Sequence, residues 1–244
     1  MPLGNAASQE HRHTILWVSL LASAVSVATV VARVVYSGQG TYVFLIWNLI
    51  LAWIPLLFSF LAEIAYQKRS KVGLWAILCG LGWLVFFPNA PYILTDFFHL
   101  QARPPVPLWF DLIVLFSFAW NGIFLGFNSL YVMQRLVAER LGRTVGWVFV
   151  LLVLGLSGFG IYLGRFLGWN SWDVLVSPRD LGGDILGRLA HPLANFQTFA
   201  VAFALAVVLG SIYLSLYALT RIPRRAEAGE EGRGLGGAGG GSET

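Results

Sequence analysis

Charge is scarce in this chain: lysine, arginine, aspartate and glutamate make up 11% of its 244 residues, against about a quarter in soluble domains, which excludes an ordinary water-soluble fold. Cysteine is nearly absent, since Cys79 stands alone. That rules out an internal disulfide and any zinc, iron–sulfur or haem site built from paired cysteines, and a lone thiol in an apolar run reads as a small filler. The sequence also lacks the glycine-rich phosphate loop, HExxH, the GxSxG elbow and the dinucleotide glycine fingerprint. Ser157, in "LGLSGFG", has the wrong spacing for an elbow and reads as close packing.

What the sequence has instead is apolar length, with 57% of residues hydrophobic. Six stretches, at about 14–36, 42–65, 72–91, 108–131, 144–166 and 197–219, come near the roughly 20 residues a spanning helix needs. Backbone groups in lipid must be satisfied within their own segment, so these stretches predict an all-α, polytopic transmembrane bundle. The first run is too long for a typical signal-peptide core and reads as a retained helix. The division expected is a cytoplasmic N-terminus at 1–13, a six-helix domain at 14–220, and a disordered cytoplasmic tail at 221–244, where "EAGEEGRGLGGAGGGSET" offers nothing for a core.

Basic residues set the expected orientation. Eleven fall on the side of the N-terminus (Arg12, Lys68, Arg69, Lys71, Arg135, Arg140, Arg143, Arg221, Arg224, Arg225, Arg233) and five on the other (Arg33, Arg103, Arg165, Arg179, Arg188). Both termini are therefore expected in the cytoplasm, with the protein in the cell (inner) membrane. The net charge of +4 follows from these anchors meeting anionic lipid, so the bilayer, and not nucleic acid, is the expected partner. All five aspartates fall on the far side, whereas six of the seven glutamates lie in loops or tails of the near side. Trp17, Trp75 and Trp147 mark one set of helix ends, and Trp109, Trp169 and Trp172 the other.

Polarity collects in "FFPNAPYILTDFFHL", residues 86–100. Pro88 and Pro91 remove two backbone donors and predict a break at the outer end of the third helix. Carbonyls freed there must be covered by protein or water, and Asn89, Tyr92, Thr95 and Asp96 are the side chains at hand. Asp96 and His99 share a face of a continued turn. The short connection through "ARPPVP" brings Asp111 within reach of both. Asn121 lies on a polar stripe of the fourth helix, and Tyr162 and Arg165 reach the outer end of the fifth. "GIFLG" (122–126) and "GIYLG" (160–164) carry the spacing that lets helix backbones approach.

The last outer loop adds "GWNSWD" and then "SPRDLGGDILGRLAHP". In the latter, Ser177 as N-cap, Pro178 in first position and an apolar stripe of Leu181, Ile185 and Leu189 predict a short helix lying on the membrane surface with its charges solvated.

The blocks "FFPNAPYILTDFFHL", "PLWFDL", "SLY" and "GFGIYLGRFLGWNSWD", on a six-helix layout, resemble a family of bacterial integral membrane proteins catalogued as domain of unknown function 1361. The resemblance covers about residues 15–220 and includes Asn89, Tyr92, Thr95, Asp96, His99, Asp111, Tyr162, Arg165, Asn170, Ser171, Trp172 and Asp173. It implies the fold and topology, and no activity.

Three function classes follow. In an outer-leaflet enzyme, Asp96, His99 and Asp111 would be the catalytic groups. Asn89, Tyr92, Thr95, Asn121, Tyr162, Arg165, Asn170, Ser171, Trp172 and Asp173 would hold a lipid or an anionic, phosphorylated ligand. A transporter would use the broken helix as a solute site, although helices one, two and six carry few polar residues. A scaffold would use the outer loops to bind a partner. Each residue also has a plainer role: Arg165 paired with Asp96, Asp111 or Asp173 to lock helix ends, Asn89 capping the break, and Asn170, Ser171 and Asp173 closing a turn. The sequence leaves the cofactor unknown; Asp96, His99 and Asp111 could hold a divalent ion, but three possible ligands on two segments are too few for a metal site to be expected.

Overall fold

In a computed structural model, residues 3–69 and 73–220 are described; the expected tail at 221–244 lies outside them. Among the described residues, six helical stretches are long and apolar enough to cross a membrane. They are built from α1 (Leu3–Ser37), α2 (Phe44–Arg69), α3 (Leu74–Phe86) with its continuation, α5 (Leu108–Leu141), α6 (Arg143–Leu167) and α9 (Phe196–Leu219). No strand occurs among the described residues, and the chain is an all-α polytopic membrane bundle.

The third span breaks where the prolines sit. α3 ends at Phe86, α4 (Asn89–Tyr92) makes one turn, and a 3-10 helix (Ile93–His99) completes the span. Polar side chains satisfy carbonyls around the break: Asn89 Nδ2 donates to Phe86 O at 3.0 Å and Thr95 Oγ1 to Tyr92 O at 2.7 Å. Ser171 Oγ, from the loop after α6, donates to Val85 O at 3.1 Å. The freed backbone is thus covered by protein, as a break at membrane depth requires.

α5 runs past the expected end at 131 because residues 132–141 are good helix formers, and it stops at Gly142, whose φ of 96° suits only glycine. It is the central element and packs on α1, α2, α4, the 3-10 helix and α6, while α9 packs on α6. Phe118, Leu125 and Leu130 of α5 are fully buried, with α1 and α2 supplying Val30, Leu45 and Leu56. Trp83 of α3 donates to Ser129 Oγ at 3.0 Å.

Both glycine pairs serve the broken segment. Gly122 and Gly126 on α5 face Ala90, while Gly160 and Gly164 on α6 face Pro88 and Tyr92. The proline turn is thereby clamped between two helices with almost no side-chain thickness on either side. At the end of the bundle near residue 12, buried Glu63 pairs with Arg135 and lies 3.8 Å from Arg12.

Between α6 and α9 the chain forms α7 (Asp173–Val176) and α8 (Pro178–Ala190). Ser177 takes the N-cap position with Pro178 after it, but its side chain makes no capping hydrogen bond. Of the apolar stripe on α8, Leu181 is buried and Leu189 exposed.

A candidate functional site at the broken third helix

A cavity of about 340 Å³ opens where α2, the broken third span, α6 and the α7–α8 loop meet. Its polar centre is Arg165, near the end of α6. Arg165 Nε donates to Thr95 Oγ1 at 2.8 Å, Nη1 meets His99 Nε2 at 2.9 Å, and Nη2 donates to Asp96 Oδ1. The guanidinium also lies over the Tyr92 ring, 4.4 Å from its centroid, where the negative face attracts it. A guanidinium can only donate, so His99 Nε2 must accept and the ring proton sits on Nδ1.

Asp96 is 1% exposed, and its second oxygen accepts from Asn48 Nδ2 at 2.8 Å. A buried carboxylate needs this much support, because the cost of desolvation is offset only when charge and hydrogen bonds are both met. The 3-10 helix makes the arrangement possible: its turn places Thr95, Asp96 and His99 together toward α6, and one arginine reaches all three.

The rest of the wall is mixed. Asn89, Asn170 and Ser171 contribute amides and a hydroxyl, and Phe44, Trp47, Trp169 and Trp172 contribute rings. Asn89 Nδ2 also donates to Ser171 Oγ at 2.8 Å, fixing the loop after α6 against the break. Trp47 and Trp172 meet edge to face with centroids 6.5 Å apart. From α8, Leu181 and Ile185 close the roof, and Trp169 Nε1 donates to Asp184 Oδ2 at 2.9 Å.

Several sequence candidates stand elsewhere. Asp111 does not join Asp96 and His99 in the cavity wall. It is fully buried in a two-armed pair with Arg33, whose Nε and Nη2 donate to it at 2.6 and 3.1 Å. The short loop does bring α5 back beside the third span, but the helical phase of α5 turns Asp111 toward α1. Tyr42 stands between: the Arg33 guanidinium lies 4.8 Å from its ring centroid, and its hydroxyl donates to His99 O at 3.2 Å. Burial, followed by the Asp111 charge, raises the Tyr42 phenol above its ordinary pKa, so it remains a donor.

Asn121 lies in the core, donating to Ser23 Oγ of α1 at 3.0 Å. Tyr162 sits behind the wall, because the face it shares with Gly158 turns to α9; it stacks on Phe166, and Arg188 lies 5.8 Å from its centroid. Asp173 accepts from Asn170 N at 2.7 Å and closes the loop. Among the described residues no three His, Cys, Asp or Glu side chains gather closely enough to hold a metal.

Sequence reasoning missed Asn48, Phe44 and Trp47, all on α2. The signal for Asn48 was available, since it is a lone amide in an apolar span and such residues face the bundle interior.

The fold and the cavity define a polytopic helical membrane protein with a polar, aromatic-walled pocket between its spans. The chain belongs to the family described as protein of unknown function (DUF1361), whose model matches residues 47–212. No curated protein and no solved structure matches it.

Proposed function

We propose that the protein binds the polar head of a membrane lipid, one carrying an anionic or phosphorylated group, in the cavity beside Arg165, on the exoplasmic face. The observation that carries this reading is the state of Arg165. Its contacts to Thr95, His99 and Asp96 take one N–H on each nitrogen, which leaves a further N–H on each Nη for an oxyanion. Around it the wall mixes rings and aliphatic side chains with a few polar groups, the make-up of a small-molecule site.

Binding is favoured over acid–base catalysis. Asp96 is held as the charged partner of Arg165 with a further hydrogen bond from Asn48, and His99 Nε2 is occupied by Arg165, so moving a proton onto either group would weaken the contacts that hold Arg165 in place. The exoplasmic assignment is supported by the excess of basic residues on the side of the N-terminus, the side expected to stay in the cytoplasm.

The test is native mass spectrometry of wild type beside Arg165→Ala, each released from nanodiscs. A lipid retained by the wild type and lost from a folded Arg165→Ala supports the reading. Equal retention, or none by either, sinks it and directs attention to a protein partner of the outer loops.

A further inference from the structure

Charge balance and ring placement narrow the class of headgroup, resting on the cavity reading above. Asp96 is the carboxylate and Arg165 the guanidinium of the wall, and they are bonded to each other. An anion without a counter-charge would gain Arg165 only by standing against Asp96. A bare cation would meet the reverse difficulty. Other nearby charges are turned away or engaged: Asp184 accepts from Trp169, Asp173 accepts from Asn170 N, and Arg188 donates to Thr198 Oγ1 at 3.0 Å on α9. A wall with one charge of each sign and no excess fits a ligand with one charge of each sign.

The two kinds of group also face the cavity from different elements. The guanidinium comes from Arg165 on α6. The Phe44 and Trp47 rings of α2 also line the cavity, Trp47 against Trp172 and Phe44 edge-on to the His99 ring, and π faces attract cations. Asp96 lies between, with lone pairs left on both oxygens after its bonds to Arg165 and Asn48.

We propose that the cavity receives a zwitterionic phospholipid headgroup of the phosphoethanolamine kind, its phosphate on Arg165 and its primary ammonium on Asp96 and the rings of Phe44, Trp47 and Trp172. A primary ammonium brings three donors to a carboxylate with acceptor sites to spare. The volume of about 340 Å³ lies at the lower end of ligand pockets, of order 300–1,000 Å³, which suits a headgroup without its chains. Entry is lateral: α2 meets the loop after α6 through the Trp47–Trp172 contact, and Trp47 is 54% exposed on the side of the bundle. Leu51 and Leu163, also in the wall, then meet the glycerol and upper acyl carbons.

The experiment uses the full chain in nanodiscs of equimolar phosphatidylethanolamine and phosphatidylglycerol, with retained lipid read by native mass spectrometry. Parallel discs replace phosphatidylethanolamine by phosphatidylcholine or by its N-acylated derivative, which keeps the phosphate and loses the ammonium. Wild type is expected to retain phosphatidylethanolamine over the other three. Trp47→Leu, an exposed change outside the arginine network, should weaken that retention by roughly threefold to tenfold, the effect of losing one ring beside a cation. Preferential retention of phosphatidylglycerol or the N-acylated lipid would overturn the zwitterion while leaving a headgroup site in place. Equal retention of phosphatidylcholine overturns the primary ammonium. No retained lipid at all removes both this proposal and the cavity reading.

Discussion

A β-carbon built on Gly122 of α5 would lie 2.4 Å from the carbonyl oxygen of Ala90, in the turn that breaks the third span. The obstacle is backbone, so no rotamer change relieves it. Gly122→Ala is therefore expected to push α4 away from α5 and cost roughly 1–3 kcal/mol, as overpacking does. Gly155→Ala on α6 is the control, since nothing lies within 4 Å of its added carbon. It should be neutral or stabilise by up to about 1 kcal/mol through helix propensity. Thermal unfolding of both variants in one detergent decides the matter, and equal melting temperatures would refute the clamp.

Arg33 and Asp111 are each fully buried and joined by two hydrogen bonds. Removing one partner strands a charge, so Arg33→Leu and Asp111→Leu should each cost on the order of 3–5 kcal/mol and reduce accumulation in the membrane. The double variant should recover much of that loss. If it is instead as poor as the sum of the singles, the pair is not what holds α1 to α5.

The break and its surroundings were legible because Pro88 and Pro91 act through local backbone chemistry, which one sequence displays in full. Asn89 capping Phe86 and Thr95 capping Tyr92 follow from the same local logic. The company kept by Asp111 was not legible. Loop length limits how far apart two helix ends lie, but it says nothing of which way a side chain is turned around its helix. Arg33, 78 residues away, was visible only as one more basic residue near a helix end. Asn48 was overlooked for a related reason. Its meaning depends on a carboxylate from another span, and periodicity along α2 carries no trace of that partner. Arg165 was legible as an inward-facing charge, although three carboxylates remained equally good partners until the helices were in place.

Arg165→Lys keeps the positive charge and loses the fork. A single ammonium cannot reproduce the separate contacts to Thr95, His99 and Asp96. The variant is expected to insert and accumulate, because the Asp96 charge still has a partner, and yet to lose lipid retention as severely as Arg165→Ala. Membrane accumulation and retained lipid measured on the same preparation separate the two effects. Wild-type retention by a folded Arg165→Lys would mean that charge alone suffices and that the fork has no part in binding.

Asn48→Leu removes the donor to Asp96 Oδ2 and leaves Arg165 as the carboxylate's remaining partner. A hydrogen bond to a charged group is worth about 1.5–3 kcal/mol, so a loss of that order is expected in thermal unfolding. Asn121→Leu makes the contrast, as both positions are amides within spans. Asn121 Oδ1 is buried without a hydrogen-bond partner, and Ser23 Oγ keeps a donor from Trp53 Nε1 at 3.0 Å when the amide is removed. An unmet acceptor in an apolar setting is a cost, so replacing this amide by an aliphatic side chain of similar volume should change stability by less than about 1 kcal/mol, in either direction. Equal destabilisation by the two substitutions would place Asn121 in a polar interaction as strong as that of Asn48, and the distinction between a supported carboxylate and a tolerated amide would fail.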